Sequence, residues 1–94
     1  MAKKNNDFMT DVALYPYFSG NDIRAILLLY SGELRQKDLI AKTGWDKGNL
    51  SRILKRLVEL RVVIKRQDTE TGVTYYRADP TWKSPASPGQ LRLF

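Results

Sequence analysis

The sequence predicts an α+β domain that is mostly helical, with the helices followed by a β-hairpin. Apolar residues recur at helical spacing in several segments between residues 8 and 60. Residues 62–68 and 73–78 are then rich in β-branched and aromatic side chains, and the connection between them ends in Gly72. Two such runs around a short glycine-containing connection are typical of an antiparallel hairpin, in which we expect Ile64 and Tyr76 to face inward. We therefore expect a three-helix core followed by a sheet of two or three strands.

The composition narrows the classes of function. The 94 residues include no Cys and no His, so the chain lacks thiolate nucleophiles, imidazole bases and the usual zinc ligands. No glycine-rich loop of the phosphate-binding kind is present. We therefore expect neither an enzyme nor a metal or cofactor site. The apolar runs are too short to span a bilayer or to form a signal sequence, so we expect a cytoplasmic protein without a membrane partner.

Residues 1–18 are expected to form an N-terminal arm or a short helix. Pro16 ends the helical pattern, because proline lacks an N–H and disfavours helix in the residue before it. The apolar residues of this region share one helical stripe: Phe8, Met9, Val12, Ala13 and Tyr15. Either a second subunit or the chain's own core would have to cover that stripe.

The next segment has clear helix boundaries. Ser19 and Asp22 have the spacing of a capping box, in which each side chain accepts the backbone N–H of the other residue. The apolar pattern then runs to Ser31, and Gly32 is expected to end the helix in a left-handed conformation. Residues 32–34 are predicted to add a short strand.

Positive charge is concentrated in residues 34–66. This segment holds ten of the sixteen Lys and Arg residues and three of the ten acidic residues, so it carries +7 and the remainder of the chain carries −1. The total of +6 indicates an anionic partner, either nucleic acid or a membrane surface. Because the charge is local, we interpret this segment as the surface that binds nucleic acid.

The same segment has the pattern of a helix-turn-helix. A second helix is expected from about residue 35 to 43, followed by a tight turn in which Gly44 has a positive φ and Asp46 caps a third helix. The apolar positions have the required spacing: Leu39, Trp45, Leu50, Ile53, Leu54 and Leu57. With the hairpin after them, residues 19–79 resemble the winged helix-turn-helix of MarR-like, ArsR-like and related small prokaryotic or archaeal transcriptional regulators.

The resemblance implies a sequence-specific, double-stranded DNA-binding regulator that acts as a homodimer with its third helix in the major groove. Two positions depart from the usual pattern. Ile40 stands where a small residue is common, which implies a wider separation or a different packing of the two helices. Arg61 replaces the usual glycine before the wing, which requires a strained conformation or a different helix end.

Candidate DNA contacts fall into two groups. Asn49, Arg52 and Arg56 lie on one side of the third helix and are the candidates for reading bases. Arg35 and Lys37 begin the second helix, where a bound phosphate would offset their unfavourable interaction with the helix dipole. The wing tip carries acidic Asp68 and Glu70, so we expect backbone contact by the wing's base with only shallow insertion. The predicted DNA-binding residues are Arg35, Lys37, Lys47, Gly48, Asn49, Ser51, Arg52, Lys55, Arg56, Lys65, Arg66 and Arg77.

Residues 80–94 are expected to form a Pro/Ser-rich tail, whose first part Trp82 pins to the domain. The tail suggests an alternative function, in which a winged-helix module of replication or repair docks on a protein partner. Its terminal segment resembles part of the sliding-clamp binding box, although the paired aromatic residues of that box are missing. The residues that would bind such a partner are Gln90, Leu91, Leu93 and Phe94.

Overall fold

The computed structural model describes the backbone of residues 2–84 and the side chains of residues 8–84. In this range four helices precede a two-stranded antiparallel sheet. The helices are α1 (Ala2–Leu14), α2 (Gly20–Ser31), α3 (Gln36–Thr43) and α4 (Lys47–Glu59), and the strands are β1 (Val63–Gln67) and β2 (Thr74–Ala78). The predicted α+β class, with helices followed by a hairpin, is confirmed.

The α1 helix packs on the chain's own core. Phe8 and Val12 are buried, and the ring of Phe8 stacks on that of Tyr30 with a centroid distance of 4.8 Å. Of the two surfaces expected to cover the apolar stripe, the intramolecular one is therefore present. The helix begins at Ala2 and ends at Leu14, two residues before Pro16.

The α2 helix begins at the predicted capping box. The Ser19 N–H donates to Asp22 Oδ2 at 2.9 Å, and the Asp22 N–H donates to Ser19 Oγ at 3.1 Å. The prediction of a left-handed end at Gly32 is wrong, since its φ of 171° and ψ of 164° are extended. The chain extends here because Leu34 pairs immediately with Tyr76 of β2 through two backbone hydrogen bonds of 2.8 and 2.9 Å. This isolated bridge stands where the short strand was expected.

The helix-turn-helix has the predicted turn chemistry. Gly44 has a φ of 74°, and the Asp46 carboxylate accepts the N–H groups of Gly48 and Asn49. The α4 helix then buries one apolar face, which consists of Leu50, Ile53, Leu54 and Leu57. A helix that is apolar on one side and polar on the other packs with the first face and leaves the second free.

Arg61 joins α4 to the wing in a left-handed conformation. Its φ of 69° is the only positive value at a non-glycine residue in the described range. Of the two alternatives expected for an arginine at the usual glycine position, the strained conformation is the one present. The reversal brings Val62 and Val63 directly into the core, where both are buried.

The register of the wing corrects one prediction. Ile64 and Tyr76 were both expected to face inward, but Ile64 pairs with Arg77 and Tyr76 pairs with Lys65. Because side chains alternate between the faces of a strand, these two residues lie on opposite faces. The inward face carries Val63, Ala78 and Tyr76, which contribute to the core.

Within the described residues, no helix has the length and apolarity needed to cross a membrane.

Candidate nucleic-acid interface

The outward face of α4 carries most of the predicted DNA contacts. Asn49 is half-buried, and the exposed positions of the helix are Lys47, Gly48, Ser51, Arg52, Lys55, Arg56 and Glu59. Asp46 holds the start of this helix, with distances of 3.0 Å to the Gly48 nitrogen and 3.2 Å to the Asn49 nitrogen. A Cβ at Gly48 would lie 3.2 Å from Asp46 Oδ2, so the glycine also leaves room for the cap. The cap and the buried stripe together place a basic helical face on the surface.

A groove of about 370 Å³ separates α4 from the wing. We call it the α4–wing groove; it is lined by Gln36, Ser51, Leu54, Lys55, Val58, Glu59, Lys65 and Tyr76. Lys55 of the helix and Lys65 of the first strand thus border one space, although ten residues separate them in the chain. The Gln36 side-chain amide donates to Ser51 Oγ at 2.8 Å and ties α3 to α4 across the end of the groove. Sequence reasoning did not single out Gln36, because nothing in its neighbours indicates this long-range contact.

A second groove, of about 580 Å³, lies between the starts of α3 and α4 and the far end of the wing. We call it the α3–wing groove; it is lined by Arg35, Gln36, Lys37, Ile40, Lys47, Val73 and Thr74. Three of the predicted DNA-binding residues, Arg35, Lys37 and Lys47, therefore border one depression. Gln36 lines both grooves, so the two form neighbouring parts of one basic surface.

The start of α3 already contains an anion. The Arg35 guanidinium donates to both oxygens of Asp38, at 3.0 and 3.1 Å, and the Arg35 N–H donates to Asp38 Oδ2. These bonds lower the pKa of the Asp38 carboxyl, with the Arg35 side chain as the main cause. Asp38 thus supplies a negative charge that offsets the helix dipole at Arg35, and phosphate contact by Arg35 stays a prediction. Lys37 is exposed and has no ion pair among the described residues.

The basic residues of the wing are divided between its two faces. Lys65 shares the inner face with Tyr76, whereas Arg66 and Arg77 lie on the outer face. Arg66 donates to both oxygens of Glu33 at 2.9 Å, and its guanidinium carbon lies 4.7 Å from the centre of the Tyr75 ring. The structure therefore brings Lys65 to α4 but does not bring Arg66 and Arg77 there.

The acidic wing tip has a structural explanation. Asp68 Oδ1 accepts the backbone N–H of Glu70 at 2.8 Å and that of Thr71 at 3.2 Å. These two backbone bonds lower the pKa of the Asp68 carboxyl, the bond from Glu70 most strongly. Gly72 completes the turn with a φ of 75°. The carboxylate at the tip is thus part of the turn.

Arg56, predicted to read bases, has an intramolecular partner. Its guanidinium donates to Oδ1 of Asp22 on α2, and the Arg56 side chain remains 49% exposed. Arg52 is exposed and has no ion pair among the described residues.

The tail residues Gln90, Leu91, Leu93 and Phe94 lie outside the described range. Within that range, no cluster of His, Cys, Asp and Glu side chains is suited to hold a metal ion.

Known structures share this architecture. The adhesin competence repressor of Streptococcus pyogenes is 20% identical with a TM-score of 0.63; the match covers 83% of this chain and 61% of the repressor. The transcriptional regulator HlyU of Vibrio vulnificus is 22% identical with a TM-score of 0.63, over 98% of this chain and 90% of HlyU. At these identities the likeness establishes the fold. The chain spans less than two thirds of the length of the streptococcal repressor.

Two further comparisons concern the family. A possible transcriptional regulator for arsenical resistance is 31% identical with a TM-score of 0.54, over 79% of this chain and 71% of that protein. A search of curated protein sequences found no match. The family model described as MarR family matches residues 18–72, which include α2, the helix-turn-helix and the first strand of the wing. The chain therefore belongs to the MarR family, whose members are winged-helix transcriptional regulators that bind DNA.

Proposed function

We propose that this chain is a sequence-specific regulator that binds double-stranded DNA as a homodimer, with α4 in the major groove. The observation that carries the proposal is the division of α4 into two faces. One face is closed by Leu50, Ile53, Leu54 and Leu57, and the other presents a row of polar and cationic side chains to solvent. The major groove of B-DNA admits one helix and displays a different pattern of donors and acceptors for each base pair.

Base reading is assigned to Asn49 and Arg52. They lie three residues apart on α4, so their side chains extend from the same side of the helix. An arginine can donate two hydrogen bonds to guanine and an asparagine can pair with adenine, each contributing about 1–3 kcal/mol of discrimination. Arg52 is suited to this role because it is exposed and has no ion pair among the described residues.

Backbone contact is assigned to the lysines that border the two grooves. Lys55 and Lys65 border the α4–wing groove, and Lys37 and Lys47 border the α3–wing groove. The reading helix itself carries Lys47 and Lys55, and Lys37 of α3 and Lys65 of β1 lie beside it. Cations in this arrangement fix the position of a protein on the duplex without reading its sequence.

The homodimer is proposed together with a symmetric DNA site. Two copies related by a two-fold axis place two α4 helices in successive major grooves, which corresponds to a pseudo-palindromic sequence. Leu14 and Tyr17, each 72% exposed, provide apolar surface for the second copy.

The proposal is tested by selecting bound fragments from random duplex DNA at physiological salt and measuring the mass of the protein alone and bound to DNA. The expected result is a palindromic consensus with half-sites one or two helical turns apart, bound by two chains. Absence of any enriched sequence would refute the specific-binding proposal. An enriched site bound by one chain would refute the homodimer alone.

A further inference from the structure

Asp22 is the only charged side chain that is fully buried in the described part of the chain, with 1% exposure. Each of its two carboxylate oxygens has a separate partner. Oδ2 accepts the N–H of Ser19 at the start of α2, and Oδ1 accepts a guanidinium N–H of Arg56 on α4. Because its own backbone N–H also binds Ser19 Oγ, the carboxylate is held by the first turn of α2. Asp22 is therefore a fixed point to which α4 is attached.

Arg56 belongs to the surface that we propose to read DNA. It lies one helical turn after Arg52 and two turns after Asn49, on the same side of α4. Its side chain is 49% exposed. A guanidinium has five N–H donors, and the hydrogen bond to Asp22 does not use all of them. The remaining donors are available to DNA while the group stays attached to the protein.

The ion pair adds a constraint that the buried stripe of α4 does not provide. Apolar contacts are not directional, so a stripe of leucine and isoleucine side chains tolerates small rotations of the helix. A hydrogen bond between two charged groups has a preferred distance and direction. The contact between Asp22 and Arg56 therefore limits how α4 and the Arg56 side chain are oriented.

We propose that Asp22 is a positioning residue for sequence discrimination, which acts by holding Arg56. An arginine that moves freely beside DNA binds phosphates of any sequence, and each such contact raises affinity without discrimination. An arginine whose guanidinium is bound to a buried carboxylate points in one direction. The negative charge of the carboxylate also reduces the effective positive charge that the guanidinium presents to DNA. Asp22 thus suppresses sequence-independent binding and holds Arg56 in a position from which its contacts depend on the DNA sequence. This inference rests on the proposed function.

The test compares Asp22→Asn with the wild type on two duplexes, the one enriched by the wild type and a shuffled duplex of the same composition. Asparagine keeps the shape of the side chain and an acceptor for Ser19 but removes the charge that holds Arg56. We expect affinity for the shuffled duplex to rise about fivefold, and the log–log salt slope of that binding to steepen by about 0.9. The ratio of affinities for the enriched and shuffled duplexes should fall about tenfold.

Ser19→Ala is the matched control. It removes the hydroxyl that accepts the Asp22 N–H and so weakens the start of α2. The Ser19 backbone N–H that donates to Asp22 Oδ2 remains, and Asp22 keeps the charge that binds Arg56. We expect it to lower Tm to a similar degree and to leave the affinity ratio unchanged. If Asp22→Asn and Ser19→Ala lower binding to both duplexes in equal proportion, or if neither changes the ratio, Asp22 has only a structural role and the inference is refuted.

Arg56→Lys provides a second variant, which keeps the buried carboxylate paired with a cation in case Asp22→Asn does not fold. Lysine retains the charge but not the planar arrangement of donors. We expect the ratio of affinities for the enriched and shuffled duplexes to fall, since lysine keeps the charge beside Asp22 but loses the fixed direction of the guanidinium donors. An unchanged ratio would refute the inference. If the wild type itself enriches no sequence, the proposed function fails first, and this inference fails with it.

Discussion

The indole N–H of Trp82 donates a hydrogen bond to the carbonyl oxygen of Leu60 at a distance of 2.9 Å. Leu60 is the C-cap residue of α4, so the chain that follows the wing returns to the end of the helix proposed to read DNA. The Trp82 ring also lies 5.9 Å from Tyr15 and 5.7 Å from Phe18, measured between ring centroids. One side chain thereby joins α4 to the segment between α1 and α2.

Loss of Trp82 is expected to destabilise the whole domain. Trp82→Ala removes a side chain that is 5% exposed, and we expect the free energy of unfolding to fall by about 3–5 kcal/mol. Trp82→Phe keeps most of the ring but leaves the Leu60 carbonyl unpaired, at a cost of about 1–3 kcal/mol. Urea denaturation measures both values. Lys83→Ala at the adjacent exposed position is the control, and an equal loss there would contradict the prediction.

Arg61→Gly is expected to stabilise the protein. The φ of 69° at Arg61 strains any residue that has a Cβ, and glycine adopts this region without that cost. Glycine also gives the unfolded chain more conformational entropy, which favours unfolding. The strain that is relieved in the folded state is the larger of the two free energies, so we expect a gain of about 0.5–1 kcal/mol in the free energy of unfolding. The same denaturation experiment on Gly72→Ala, where φ is 75°, should show the opposite sign. A loss of stability in Arg61→Gly would disprove the strain argument.

Arg52→Ala is expected to reduce discrimination at one position of each half-site. The loss should be about 1–3 kcal/mol between the preferred base pair and its alternatives, with little effect on binding to random DNA. Competition binding with single-base variants of the selected DNA site measures this loss of discrimination. Lys65→Ala is the comparison, because Lys65 is proposed to contact phosphate. It should weaken binding to all sequences alike and reduce the salt slope by about 1. Equal losses on specific and random DNA for Arg52→Ala would count against base reading.

The ion pair between Glu33 and Arg66 is expected to make stability depend on pH in acid. The hydrogen bonds from Arg66 are the main cause of the lowered pKa of the Glu33 carboxyl, which lies below its ordinary value of 4.5. A carboxyl with a lowered pKa in the folded state contributes stability above its unfolded pKa and loses it as the pH falls through the folded pKa. The difference in stability between the wild type and Glu33→Gln should thus be constant near neutral pH and shrink below pH 4.5.

Arg66→Gln is the matched control for this pair. It removes the donor instead of the acceptor, so the difference from the wild type should follow the same pH dependence. Adding Glu33→Gln to Arg66→Gln should produce little further change, because the interaction is already lost. A Glu33→Gln difference that persists unchanged well below pH 4.5 would show that the carboxylate is not the source of the effect.

Short-range features of the fold were predictable from neighbouring residues. The bonds between Ser19 and Asp22, the positive φ of Gly44 and the cap at Asp46 all involve groups within four residues of one another. Backbone geometry alone brings such groups together. The same local reasoning failed at Gly32, because a distant strand residue, Tyr76, pairs with Leu34 and draws the chain into an extended conformation.

Helical spacing, turn residues and β-branched runs were enough to predict the helices, the turn and the hairpin, and the concentration of positive charge in residues 34–66 can be counted directly. Which of those charges form ion pairs depends on the three-dimensional fold. Arg56 binds Asp22 from 34 residues away and Arg66 binds Glu33 from 33 residues away, whereas Arg52 has no such partner among the described residues. The register of the wing likewise separated Lys65 from Arg66 and Arg77. These outcomes depend on which helix and strand faces the buried core brings together, and spacing along one element carries no information about the element opposite.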